Sequence, residues 1–302
     1  MATDAAWASP TATKFFAPSP PSSSIHEICT RKFAGRAVAG ISRADLAKIA
    51  ADPDALWRRH YATPIKLSHS SLIVEAQFML DGQPTRVAYK RSRPSLWWKR
   101  LAGIVRVSRA ARAWHVARGL LDRGIPTAEP LLLCQPRNLL ERGCGYLATR
   151  WIEGSTNLHL YLWDLAERSP LERRTRVRQL AASLGRLLGT MHAGGVVNRD
   201  LKALNLVIVE EPDRLATYLV DVDGVRFRRH VSDRSRALDL ARLATSLDMH
   251  PWVSRSDRLR FLQSYLATAP LAASDWKAFT KRLAAQSGRM KRRMKRHGKA
   301  LA

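Results

Sequence analysis

The stretch Asn198-Arg199-Asp200-Leu201-Lys202, with Asn205 three residues later and Asp221 sixteen beyond that, gathers the groups that phosphoryl transfer needs. That reaction asks little covalent chemistry of a protein. One carboxylate orients the acceptor hydroxyl and can take its proton, and a cation offsets charge on the phosphoryl oxygens. An amide oxygen and a second carboxylate hold the metal that bridges the phosphates. Asp200, Lys202 and Asn205 match the first three roles, and Asp221, after the apolar run Tyr218-Leu219-Val220, can supply the fourth. Each residue also has a plainer reading, since Asp and Asn favour turns and Asp221 could cap a strand end. The conjunction of all of them at these spacings favours chemistry.

These groups need elements to position them. Leu180, Leu184, Leu187, Leu188 and Met191 fall on one face of a long helix, which Gly194-Gly195 ends just before the loop. Leu206 to Val209 and Tyr218 to Val220 read as short strands around Asn205 and Asp221. Ala237 to Leu247 and Ser256 to Leu266 read as helices. Upstream, Ile41 to Tyr61 reads as one or two short helices, with Ser42 and Asp52 as N-caps, the latter followed by Pro53. Pro64 to Leu67, Leu72 to Leu80 and Thr85 to Arg91 read as strands, the last two joined by an Asp81-Gly82 hairpin turn. Arg109 to Arg123 is helical and stops at Gly124-Ile125-Pro126, and Leu131 to Leu133 and Tyr146 to Ile152 are further strands. Three to five strands interrupted by one helix, then a helical region, predict an α+β, two-lobed architecture with a cleft between the lobes.

At this point the chain resembles the protein-kinase superfamily, whose pattern is H-R-D-x-K-x-x-N followed by D-F-G. Its resemblance is closer to the lipopolysaccharide kinase (Kdo/WaaP) family, including its InaA-like members. The pieces occur in that family's order from about Pro64 to Leu247. They are Val87-Ala-Tyr-Lys-Arg91; Ser108-Arg-Ala-Ala-Arg-Ala-Trp114 with Gly124-Ile125-Pro126; Arg199-Asp-Leu-Lys with Asn205; Asp221-Val-Asp-Gly; and Arg236-Ala-Leu-Asp-Leu-Ala-Arg-Leu243. The resemblance implies a protein-kinase-like fold with a small strand-rich N-lobe and a larger helical C-lobe, and it implies ATP and Mg2+ as cofactors. Asp200 and Lys202 would be catalytic, Asn205 and Asp221 would hold magnesium, and Lys90 would contact the α- and β-phosphates. Otherwise Lys90 is a solvated strand-end lysine. Asp239 resembles the acid that ties down the catalytic-loop backbone, with an ordinary exposed helix carboxylate as the alternative.

The chain departs from the pattern in four places. Ser68-His69-Ser70-Ser71 stands where a glycine-rich phosphate loop belongs, so the Ser70 and Ser71 hydroxyls would meet the nucleotide instead of backbone amides. No acid occurs between Lys90 and Asp122, so the helix glutamate that orients the lysine is missing, its place falling near Ala113. Asn198 replaces the histidine before Arg-Asp. Asp223 precedes Gly224 in the metal turn, either as a second metal ligand or sharing the role of Asp221.

Composition sets the surroundings. The 302 residues carry 51 Lys and Arg against 25 Asp and Glu, a net charge of +26. Such a surface attracts polyanions, whether nucleic acid, anionic lipid or phosphorylated glycan. Arg86 to Arg118 has ten basic residues and no acid, and it contains Trp97 and Trp98 followed by Lys99 and Arg100. That composition suits an interfacial membrane contact, or else two tryptophans packed in the small lobe. Trp276 to Ala302 also has ten basic residues and no acid. It reads as a solvated basic tail or as an anionic-surface contact worth about 1 kcal/mol per charge. A nucleic-acid partner is disfavoured, because no aromatics interleave that final run. Cys29, Cys134 and Cys144 lack paired spacing, no run of about 18 apolar residues occurs, and the start is not signal-like. A cytoplasmic protein is expected, peripheral on the inner face of the cytoplasmic membrane.

The expected organisation is a disordered segment 1–25, an N-lobe with preceding helices 26–152, a C-lobe with the catalytic loop 153–275, and a basic tail 276–302. The expected function is ATP-dependent phosphorylation of a sugar hydroxyl on an anionic, lipopolysaccharide-core-like glycolipid. The alternatives are a protein Ser/Thr kinase of the same fold, or a degenerate kinase-fold scaffold binding anionic membrane or nucleic acid. The short segment after Gly224 lacks an A-P-E-like anchor, which argues against peptide docking.

Overall fold

The computed structural model describes residues 24–58, 63–67, 71–92, 108–138, 141, 143–271 and 275–296. Ser70, Trp97, Trp98, residues 1–23 and the last six residues lie outside this set, so the expectations placed on them do too.

The first part is a seven-stranded antiparallel sheet in the order β1-β2-β6-β7-β5-β4-β3. Its strands are β1 (Ile25–Cys29), β2 (Phe33–Val38), β3 (Thr63–Leu67), β4 (Ser71–Leu80), β5 (Gln83–Ser92), β6 (Pro130–Pro136) and β7 (Gly145–Arg150). The three to five strands expected from the sequence are thus too few. The hairpin β1–β2 was missed because β1, Ile-His-Glu-Ile-Cys, has no buried position, its residues alternating between exposed and half-buried, and because β2 is held by pairing with the distant β6. Between β4 and β5, Asp81 and Gly82 both adopt positive φ (51° and 74°), the geometry a two-residue hairpin requires.

Helix α1 (Arg43–Ala51) starts at the Ser42 cap, as read from the sequence. Asp52, expected to begin a second helix, instead caps the C-terminus of α1, and α2 is the short Ala55–Arg58. The connection between them is tied to the sheet. Tyr89 donates its hydroxyl hydrogen bond to the Pro53 carbonyl (3.0 Å), and Tyr146 donates to Asp54 (2.9 Å). Helix α3 (Arg109–Leu121), capped by Ser108, packs its Ala110, Ala113, Trp114 and Leu120 face against the sheet.

The second part is mostly helical: α4 (Leu158–Glu167), α5 (Pro170–Ala193), α6 (Asp233–Ser246), α7 (Arg255–Thr268) and α8 (Trp276–Arg296). Short strands β8 (Ser155–Asn157), β9 (Val196–Asn198), β10 (Leu206–Glu210), β11 (Leu215–Leu219) and β12 (Val225–Phe227) carry the loops. The long helix read from the leucine spacing is α5. The basic tail is corrected over Trp276–Arg296, which is a helix docked on α6 rather than a solvated tail. Phe279 is buried, Ser287 and Thr245 share a hydrogen bond (3.0 Å), and Lys291 pairs with Asp248 (2.5 Å). The sequence hides this because the charges dominate the composition while the apolar residues sit on one face. No helix of the described residues is long and apolar enough to cross a membrane.

Candidate active site

Helix α5 ends at Gly194, and Gly195 (φ 76°) turns the chain into β9. β9 pairs with β12, Asn198 lying opposite Val225, which brings the Asp221–Gly224 turn under the loop that follows β9. Arg199 N–H donates to the Gly224 carbonyl (3.1 Å). A Cβ on Gly224 would meet Asn198 Oδ1 at 2.4 Å and Asp200 N at 2.7 Å, so glycine is needed here for close approach. The turn after α3 clamps the other side. Leu219 N–H donates to the Pro126 carbonyl (2.9 Å) and Thr127 Oγ1 to the Leu219 carbonyl (2.6 Å), which fixes the strand two residues before Asp221.

Within the loop, Asn205 Nδ2 donates to the Asp200 carbonyl (2.8 Å) and to Asp200 Oδ2 (3.1 Å), and Lys202 Nζ lies 3.3 Å from the same carboxylate oxygen. The loop therefore brings together the three residues that the sequence picked out. Asn198, in the usual histidine position, is fully buried, and its Oδ1 accepts from Asp200 N–H (2.9 Å). Asp239 is 2% exposed, and its Oδ2 accepts from Asn198 N–H (2.7 Å). Of its two readings, it is the one that ties down the loop backbone.

Lys90 sits in the middle of the sheet, opposite Ile73 on β4 and Leu147 on β7, with its side chain 20% exposed. It is not a solvated strand-end lysine. Its Nζ is 3.5 Å from Asp223 Oδ2 and 3.8 Å from Asp221 Oδ1. Ala113, near the expected glutamate position, is buried, and its neighbour Arg112 contributes instead. Arg112 Nη2 donates to the Asp223 carbonyl (3.2 Å) and lies 3.7 Å from Asp223 Oδ1. The usual polarity is inverted: the helix offers the cation and the turn offers the anion. The sequence reading missed Arg112. Its one signal was a cation one place before the missing acid. Ser71 opens β4 opposite Ser92, and its fellow candidate Ser70 is not described.

Asp221 adopts φ 56°, ψ 72°, a left-handed conformation uncommon outside glycine. Its Oδ1 is buried without a hydrogen-bond partner. Its nearest cation is Lys90 Nζ, 3.8 Å away and beyond hydrogen-bond reach, so this buried anionic oxygen fits a closer bound cation. Asn205 is close by through Asp200 and through Val220 N–H, which donates to the Asn205 carbonyl (2.9 Å). The described residues contain no cluster of three or more His, Cys, Asp or Glu able to cage a metal. A carboxylate and an amide, with phosphates and waters completing the shell, are what magnesium takes in nucleotide sites. Asp223 is less available, because its two carboxylate oxygens face two cations, Lys90 at 3.5 Å and Arg112 at 3.7 Å, whereas Asp221 faces Lys90 alone among the described residues, at 3.8 Å.

Comparisons with known proteins agree with this geometry. Residues 97–296 match the model of the Lipopolysaccharide kinase (Kdo/WaaP) family. None of the curated proteins matches the chain. The solved structure of WaaP in complex with acyl carrier protein is similar at a TM-score of 0.55 and 21% identity, over 75% of this chain and 88% of that one. The Mycobacterium tuberculosis PknI kinase domain, solved as a double mutant, gives 0.40 and 15%, over 75% and 93%. The likeness to WaaP shows the two-lobed kinase-like fold. With the family match spanning well over half of its length, the chain belongs to the lipopolysaccharide kinase (Kdo/WaaP) family and is a kinase.

Proposed function

We propose that the chain transfers the γ-phosphoryl group of ATP to a sugar hydroxyl of an anionic, lipopolysaccharide-core-like glycolipid at the inner face of the cytoplasmic membrane. The observation that carries the chemistry is the loop in which Asn205 and Lys202 both meet Asp200 while Asp221 keeps a buried oxygen with no hydrogen bond. Asp200 orients the acceptor hydroxyl and takes its proton. Lys202 offsets charge on the transferring group. Lys90, held by Asp223, reaches the nucleotide phosphates. Asp221 and Asn205 hold magnesium, which bridges the phosphates and offsets their charge when bound. Asp223 serves as the ion-pair partner of Lys90 and Arg112 rather than as a metal ligand. The acceptor rests on family membership, and the net charge of +26 supports it.

The test uses labelled ATP with extracted core glycolipid or with casein. Label should enter the glycolipid, and Asp200→Asn should slow this about a hundredfold. That is the lower end for a general base, because a loose transition state asks mainly for orientation. Label entering casein alone would overturn the acceptor in favour of a protein kinase.

We also infer an acyl carrier protein as partner. Helices α4 to α8 line a partly open cavity of about 840 Å3, with residues such as Leu162, Leu184, Leu243, Phe261 and Leu283, and with Arg255, Arg258 and Lys291 beside Asp248 and Asp257 in its wall. Its apolar lining suits a fatty chain, and three cations against two carboxylates, Lys291 being paired with Asp248, leave a small positive excess for an acidic carrier. An acylated carrier should raise the melting temperature by several degrees and the unacylated carrier should not. Equal shifts would overturn this reading.

A further inference from the structure

Beyond the metal turn the chain reads Gly224-Val-Arg-Phe-Arg-Arg-His230, with no acid before Asp233. Pairing of β12 with β9 places Arg226 opposite Val197, two residues before Arg199, which flanks Asp200. The Arg228 N–H is held by the Gly195 carbonyl (2.7 Å). Arg112 arrives from α3, and its Nη2 and Arg226 Nη1 both donate to the Asp223 carbonyl (3.2 and 3.1 Å). Arg226 Nη1 also donates to the Val225 carbonyl (2.6 Å), which leaves Nε and Nη2 without a partner among the described residues. Arg112, Arg199 and Arg228 lie close enough for their charges to oppose that of Arg226, which is itself partly buried. The opposing carboxylate, Asp223, is already shared with Lys90. Three like charges around one half-buried guanidinium, with a single shared carboxylate against them, are unfavourable until a further anion joins them.

We propose that Arg226, with Arg199, Arg228 and Arg112, forms a subsite for an oxyanion carried by the acceptor, a phosphate or a carboxylate next to the hydroxyl that Asp200 orients. The proposal rests on the reading of Asp200 given above. Guanidinium forks suit both anions, since each offers two oxygens for paired, charge-assisted hydrogen bonds. The subsite would select acceptors that are already anionic, and would set the distance between the existing anion and the new phosphate.

The full chain, saturated with ADP so that the nucleotide site is filled, is titrated calorimetrically with methyl phosphate and separately with acetate. Binding should weaken at least tenfold in Arg226→Gln and in Arg199→Gln, whose exposed side chain can change without loss of fold. Arg174→Gln, elsewhere on α5, should bind as wild type. Tighter methyl phosphate assigns the anion as phosphate, and tighter acetate assigns it as carboxylate. Wild type that binds neither, or variants that bind as wild type, would overturn the subsite. In the kinase assay Arg226→Gln should raise KM for the glycolipid at least tenfold with KM for ATP unchanged, and Arg226→Lys should recover part of the loss. A rise confined to ATP would also count against the subsite. If wild type leaves glycolipid unlabelled yet binds methyl phosphate through Arg226, the acceptor assignment falls and the anion subsite stands.

Discussion

Asp221→Asn should cut phosphotransfer about a thousandfold while leaving the protein folded. Asparagine tolerates the left-handed backbone of this position nearly as well as aspartate does, so φ 56° is no obstacle. The side chain keeps its shape. What goes is the charge on Oδ1, the buried oxygen with no hydrogen bond. Without a bound metal only Lys90 among the described residues, 3.8 Å away, offsets the burial of that charge, so the melting temperature of the ligand-free protein should change little. With a metal and nucleotide present, the same charge is worth several kcal/mol of transition-state stabilisation, and about 4 kcal/mol is a thousandfold. Nucleotide binding should tighten with magnesium in wild type and respond far less in the variant. A variant that keeps more than a tenth of the wild-type rate would remove Asp221 from the metal site.

Asp239→Ala should destabilise the protein by about 3–5 kcal/mol, the range for breaking a buried charged pair. Asp239 accepts from Asn198 N–H and from Arg242 Nη1, each at 2.7 Å, so alanine leaves a buried amide unsatisfied and a guanidinium unpaired. At roughly 2–4 °C per kcal/mol, the melting temperature should fall by about 10 °C. Activity should fall with it, because Asn198 in turn holds the Asp200 amide. The effect has a pH signature through His192, whose Nδ1 shares a hydrogen bond with the Tyr265 hydroxyl and whose Nε2 is 3.5 Å from Asp239. Burial lowers the His192 pKa below its ordinary 6.5, and Asp239 acts in the opposite direction. The folded state thus holds His192 neutral where the unfolded chain takes up a proton. Stability is therefore present above pH 6.5 and is lost as pH falls from 6.5 through the lowered value. His250, lowered by burial and by His159, adds to the loss with the same sign. In Asp239→Ala the upward pull on His192 is gone, so the acid-side loss should be deeper. Denaturant unfolding at pH 7.5 and pH 5.5 measures both effects. A variant with wild-type stability at both values would show that Asp239 does not hold the loop.

Much of the site could be read in the sequence because its residues are close in the chain. Asp200, Lys202 and Asn205 span one turn and a short strand entry, and Asp221 follows the next hairpin, so their meeting depends on local geometry. Lys90 was legible for a different reason: it follows Val87-Ala-Tyr on a strand, where the family resemblance puts the nucleotide lysine. The C-terminal helix was misread because composition reports total charge and is blind to which face carries it.

The sequence by itself determined the kinase-like order of elements, the candidate reacting loop and the strongly positive net charge, since each follows from local spacing or from a sum over residues. Only the tertiary structure decided how Lys90 is held without a helix glutamate, that Asp221 keeps an oxygen with no hydrogen bond while both carboxylate oxygens of Asp223 face cations, and that Arg112 of α3 and Arg226 of β12 meet at the Asp223 carbonyl. Those answers turn on ion pairs and hydrogen bonds between residues up to 133 positions apart, such as Lys90 and Asp223. Coulomb interaction depends on separation in space, and the chain sets that separation only once the lobes have packed.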